Sequence, residues 1–200
     1  PMISWSIRAA LESKLFDHTI VSTDDKEIAS IALNEGAEVP FTRPQCLALD
    51  DTPTKPVVKH AVQQMEQLQN KKISVACCVY ATAPFLSGFS LVSAFKQFTN
   101  NSSVCLFSCA TYAFPIQRAF ELGEESRCKV LFPEDIPKRS QDLPETYHDA
   151  GQFYFGDRNF WLSDEPLIAS GNSGFVLPRH SVQDIDTMED WDFAEKLLGS

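Results

Sequence analysis

The stretch "ISVACCVYATAPF", residues 73–85, decides the fold reading. Its near-continuous apolar run lacks polar alternation, the pattern of a strand buried on both faces of a helix-covered parallel sheet. Cys77 and Cys78 are then core fillers. Outward from this run, "SGFSLVSAFKQF" (87–98) reads as a helix and "SVCLFSCATYA" (103–113) as the next buried strand. Upstream, "MISWSIRAALESKLF" (2–16) sets Ile3, Ile7, Ala10 and Leu11 at helical spacing, and "HTIVSTDD" (18–25) is a short β-rich run. A second stripe of Ile28, Ile31 and Ala32 has Asp24 as its N-cap and Gly36 as its stop. "AEVPF" (37–41) is a strand candidate that Pro40 moves toward an edge, and a third helix carries Val58, Ala61, Val62 and Met65 on one side. This alternation predicts an α/β, doubly wound, mostly parallel sheet in one domain over residues 1–200. After residue 112, "KVLFPE", "GQFYFG" and "SGFVLP" predict shorter strands in a small hairpin-bearing lobe on the same sheet.

Two hundred residues with 44% hydrophobic content suit one globular core. No apolar stretch approaches the roughly 20 residues that cross a bilayer. Six cysteines without a C-x-x-C pair read as free thiols in a reducing compartment rather than as disulfides or a zinc site, so a cytoplasmic location is expected. A net charge of −10 argues against a nucleic-acid partner, whose backbone demands clustered Lys and Arg. The chain opens at Pro1 with a helix already under way, which reads as an N-terminal truncation.

Ligands of open α/β sheets bind beyond the carboxyl ends of the strands, and the informative polar residues gather there. In "VQDIDTMEDW" (182–191), Asp184 and Asp186 stand two apart; in extended chain both point to one face, where they could grip one hard cation. The competing reading is a helix start, with Thr187 as N-cap and Asp190 three residues on. Arg43 lies in a loop before Thr54, at a helix N-terminus whose amides and hydroxyls could hold a base or a phosphate, or could simply be a capped helix. Thr82 is either a strand-end hydroxyl for a ribose or a turn residue. The segment "PKRSQDLPETYHDAGQFYFG" (137–156) supplies what an anionic, hydroxyl-rich substrate needs. Arg139 offers a guanidinium for a carboxylate, while Gln141, Gln152 and Tyr154 offer amides and a phenol. As ordinary structure, its aromatics would be core and its charges surface.

Together, "IVSTDDKEIA", "GAEVPFTRPQCLALDDT", "YATAPF", "RSQDLP" and "IDTMEDW" resemble the acylneuraminate cytidylyltransferase family, whose fold is that of the nucleotide-diphospho-sugar transferases, over essentially the whole chain. "YHDAGQFYFG" and "YATAPF" are similar to the pseudaminic acid branch. Sialic acid enzymes usually carry an Asn-Gly pair and a Gln where this sequence has Ala150 and Tyr80. The resemblance implies transfer of CMP from CTP to a nonulosonic acid, with Mg²⁺ on Asp184 and Asp186 and a homodimeric assembly. It places Arg43 and Thr54 on the nucleotide side, with Thr82 a further substrate-binding candidate, and Gln141, Gln152 and Tyr154 on the sugar side. Arg139 joins the two aspartates as a catalytic candidate. Family members begin with a strand and a basic, glycine-containing phosphate loop that this sequence lacks, so the 200-residue chain by itself is expected to be inactive. The alternatives are a sialic or legionaminic acid synthetase, or a fragment that binds sugar or self-associates without turnover.

Overall fold

The computed structural model describes residues 1–101, 103–185 and 187–198. In chain order the helices and strands are α1 (Ile3–Ser13), α2 (Lys26–Asn34), α3 (Thr54–Gln69), β1 (Val75–Val79), α4 (Gly88–Asn100), β2 (Cys105–Thr111), β3 (Phe120–Leu122), β4 (Cys128–Val130), β5 (Tyr147–Asp157), α5 (Arg158–Leu162), β6 (Ser173–Val176) and α6 (Met188–Leu198). The central sheet has the spatial order β1-β5-β2-β6, and β3 with β4 forms a separate two-stranded ribbon.

The mostly parallel, doubly wound sheet expected from the sequence is overturned. Strand β5 runs antiparallel to both β1 and β2, and only β2 and β6 pair in parallel. An apolar run reports burial on two faces, and two faces are covered here. Val75, Cys77, Leu106, Phe153 and Phe155 join Leu91, Ala94 and Phe98 of α4 on one side. Ala76, Cys78, Cys105 and Tyr154 join Val62 of α3 and Trp161 of α5 on the other. Strand direction follows instead from the connection. Residues 112–146 leave and rejoin the sheet at one point, with Thr111 paired to Tyr147 and the Tyr112 N–H donating to the Thr146 carbonyl at 3.1 Å. The returning strand must therefore run back beside β2. "GQFYFG" accordingly lies in the middle of the main sheet rather than in a lobe.

Elsewhere the local chemistry differs from expectation in detail. The cap of α2 is Asp25 rather than Asp24; its Oδ1 accepts from the N–H groups of Glu27 and Ile28 at 2.7 and 2.9 Å. "HTIVSTDD" and "AEVPF" meet only in an isolated parallel bridge, Ile20 to Glu38.

Between β2 and β5 the register shifts: Phe107 faces Tyr154, but Cys109 faces Asp149, so a step of two on β2 answers a step of five on β5. The fully buried Ser108 hydroxyl fills the break, accepting from the Gln152 and Phe153 N–H groups at 3.2 and 3.1 Å. Those backbone donors would otherwise be orphaned in the core.

Just beyond this break β5 meets α5 closely. A Cβ at Gly156 would lie 2.5 Å from Phe160 Cδ1 and 2.7 Å from Trp161 Nε1. Both rings are buried, and Trp161 is fixed by its Nε1–H donating to the Ala76 carbonyl at 3.0 Å. Gly156→Ala should therefore destabilise the protein by about 1–3 kcal/mol through overpacking. Gly123→Ala, where the nearest atom is 3.7 Å away, should stay within about 0.5 kcal/mol of wild type. Urea denaturation of the two variants side by side measures the difference.

Candidate active site

A chain of contacts runs from the start of α3 to the segment before α6. The Thr54 hydroxyl and the Tyr80 phenol share a hydrogen bond of 2.7 Å. The Tyr80 and Tyr154 rings lie 5.4 Å apart, tilted by 46°. Tyr154 Oη donates to Asp149 Oδ2, and Asp149 Oδ1 accepts the Gly151 N–H at 3.0 Å. Gly151 holds φ +60°, which disfavours any side chain there, and a Cβ built on it would stand 3.9 Å from both Asp184 carboxylate oxygens. Two carboxylates thus flank one glycine of the break in β5.

Burial pushes the Tyr154 phenol well up, and Asp149 beside it adds to the shift. Burial also raises Tyr80, partly offset by the hydrogen bond to Thr54. Both phenols remain protonated at neutral pH, and the single O–H of Tyr154 is the donor on Asp149. Beside Asp149 opens a cleft of about 480 Å³ lined by Phe107, Tyr147, His148, Ile168 and Val176.

Of the two sequence readings of "VQDIDTMEDW", the helix start is present. Thr187 caps α6: its Oγ1 accepts the Asp190 N–H at 3.2 Å, and Asp190 Oδ2 accepts the Thr187 N–H at 2.9 Å. Asp184 stands three residues earlier and is exposed. Asp186 lies outside the described residues. Among the described residues no three His, Cys, Asp or Glu side chains converge on one point. Mg²⁺ does not require such a cage, since it commonly takes one or two carboxylates and completes its shell with waters and substrate phosphates.

The structure brings Thr54, Tyr154 and Asp184 into one path and sets the other candidates around it. Arg43 is pinned to the end of the Ile20 segment: its N–H donates to the Thr23 carbonyl at 2.9 Å, its Nε to Ser22 Oγ at 3.3 Å, and its Nη2 to the Ser22 carbonyl. Thr82 is half-buried in the turn after β1. Arg139 and Gln141 sit in an exposed turn, where Arg139 forks onto Asp142 at 2.8 and 3.1 Å. Gln152 is only 2% exposed, its amide turned inward. Sequence reasoning missed Asp149 and Ser108, and took Tyr80 only as a difference from the sialic acid enzymes. The one available signal was an acid two residues before a glycine in "HDAGQ".

Residues 1–181 match the family model for cytidylyltransferases. The chain is 43% identical to a pseudaminic acid cytidylyltransferase of Campylobacter jejuni over 98% of its own length and 84% of the relative's. It is 32% identical to a CMP-N,N'-diacetyllegionaminic acid synthase of the same organism, over 98% and 83%. Among solved structures, a CMP:2-keto-3-deoxy-manno-octonic acid synthetase complexed with CTP superposes with a TM-score of 0.69 at 13% identity, covering all of this chain and 88% of the other, a likeness of fold. The chain belongs to the cytidylyltransferase family, close to its pseudaminic acid cytidylyltransferases.

Proposed function

We propose that this protein transfers CMP from CTP to the anomeric hydroxyl of a nonulosonic acid, pseudaminic acid in the first place, with release of pyrophosphate. The observation that carries the reading is 43% identity to a pseudaminic acid enzyme across nearly the whole chain, against 32% to a legionaminic acid enzyme over the same span. In the reaction the anomeric oxygen forms a bond to the α-phosphorus, the bond from that phosphorus to the bridging oxygen breaks, and the hydroxyl proton is lost.

The chain's residues divide the work by position. Arg43, Thr54 and Thr82 take the nucleotide side. Tyr154, its phenol donating to Asp149, stands on the sugar side, and Arg139 and Gln141 approach the sugar carboxylate and hydroxyls from their turn. Asp184, with Asp186, would hold Mg²⁺, whose charge offsets that of the α-phosphate and favours ionisation of the attacking hydroxyl. The free thiols and the nucleotide substrate support a cytoplasmic setting. No helix among the described residues is long and apolar enough to cross a membrane.

The reading includes a homodimer. In the β3–β4 ribbon Phe120 pairs with Val130 and Leu122 with Cys128 on one face, while the other face carries the Glu121–Lys129 ion pair at 2.9 Å. Phe120 and Leu122 are 55% and 66% exposed, and nearby Phe114 is 82% exposed. A lone two-stranded ribbon is marginal in water, so an apolar face on one argues for a cover.

Three outcomes follow. Asp184→Asn in the complete enzyme should lower turnover by about 100-fold or more and raise the Mg²⁺ needed for half-maximal rate, with the melting temperature little changed; pyrophosphate release in a Mg²⁺ titration measures both, and wild-type turnover in the variant would refute the assignment. Arg43→Ala should raise the KM for CTP and leave that for the sugar, so equal changes in steady-state assays would contradict a nucleotide-side role. Replacing Phe114 and Leu122 together by Asp should convert a dimer into a monomer in sedimentation velocity, an outcome that a monomeric wild type would exclude.

A further inference from the structure

Gln152 sits at the one place where three parts of the site are tied together. Its main chain is held on both sides: the Tyr80 N–H donates to its carbonyl at 2.9 Å, and its own N–H donates to Ser108 Oγ at 3.2 Å. Its side chain, 2% exposed, reaches out of the sheet and donates from Nε2 to the Ser181 carbonyl at 2.5 Å. Oε1 finds no protein partner among the described residues, so the donor half of the amide is the half in use. Ser181 ends a tight turn that begins where β6 is tied to β2, through the Leu177 N–H donating to the Cys109 carbonyl at 2.8 Å. Three residues past Ser181 stands Asp184, with its carboxylate 3.9 Å from the Cβ position of Gly151, the residue beside Gln152.

We infer that Gln152 is a positioning residue for Asp184: its buried amide fixes the Ser181 carbonyl and thereby holds the carboxylate against the break in β5. The inference rests on the reading of Asp184 as the cation-bearing carboxylate. It gives Gln152 a role different from the sugar contact that the sequence resemblance implied. A buried amide whose acceptor half is idle could be replaced by an apolar chain of like volume without loss of packing. The donor is what such a replacement would remove.

The test uses Gln152→Met, which keeps the volume and loses the donor, and Gln152→Leu, which loses the donor on a shorter chain. In both, amide hydrogen exchange over residues 182–185 should quicken while Phe153 and Phe155 in β5 stay protected. Turnover should fall by about 10–100-fold, as is usual when the partner that orients a metal-bearing group is lost. The Mg²⁺ requirement should rise and the KM for the sugar should stay put. Combined with Asp184→Asn, either change should add no further loss, because the two act as one unit. A raised sugar KM with an unchanged Mg²⁺ requirement would overturn the inference in favour of a substrate contact. Faster exchange throughout β5 with normal turnover per folded molecule would overturn it in favour of a purely structural role. Should neither variant fold, the wild-type protein decides: its Gln152 side-chain NH₂ must exchange slowly and couple across the hydrogen bond to the Ser181 carbonyl, and a rapidly exchanging NH₂ ends the proposal. Full activity of Asp184→Asn alone would instead strike the underlying reading, and the exchange result would still report on the strut.

Discussion

The antiparallel wedge of β5 between β1 and β2 is the constraint on which the rest of this molecule depends. Because β5 fills the gap, β1 and β2 do not pair with each other, and each side of the sheet receives alternate residues from the stretch 152–156, which is buried without a break. Phe153 and Phe155 feed the α4 side, and Tyr154 feeds the α3 and α5 side. Strict alternation would have carried on through residues 149–152 and closed the sheet. The register break stops it, and the Ser108 hydroxyl makes the break tolerable by satisfying two backbone donors at once. The glycine with positive φ, the acid at residue 149 and the inward amide at residue 152 all occur within that break.

Polar groups near the break support one another in a fixed order. Burial and Asp149 both oppose ionisation of the Tyr154 phenol, which donates a hydrogen bond to that carboxylate. Asp149 in turn is held in place by two donors, a phenol and a backbone N–H. Thr54 at the start of α3 is brought in by Tyr80, which leaves β1 toward the same end of the sheet. Two covalently distant segments, the α3 N-terminus and the β5 break, are therefore coupled through Tyr80, by its hydroxyl bond to Thr54, its ring contact with Tyr154 and its N–H on the Gln152 carbonyl.

How much of this was legible in the sequence differs by kind of signal. Helices α1 and α3 were readable from apolar spacing, and β1 from its unbroken run, because those patterns record which faces are buried. The direction of β5 was not readable, because it follows from a pairing across 74 to 82 positions with β1 and from a segment that returns the chain to where it left. The N-cap of α2 moved by one residue because Asp24 and Asp25 are equally capable oxygens and only backbone geometry chooses between them. In the site, Thr54, Tyr154 and Asp184 were marked by motif resemblance. Ser108 and Asp149 carried no such mark, since each acquires its partners only through the register shift, and no periodicity announces a shift. Asp186 lies outside the described residues, so its part of the paired-carboxylate reading stays with the proposal.

The acid-rich character of the chain bears on the same point. With a net charge of −10 and both Asp149 and Asp184 against Gly151, the break in β5 is a locus of negative charge. A triphosphate approaching such a locus meets repulsion between like charges. On the proposed reading, the nucleotide can settle there only with a countercharge between it and the carboxylates. Dependence on a divalent cation then follows from binding electrostatics before any question of chemistry arises. The positions of the two acids relative to that cation have to be set by groups that carry no charge themselves. Neutral donors act in this way on Asp149, through the Tyr154 phenol and the Gly151 N–H, and on the segment that bears Asp184, through the Gln152 amide.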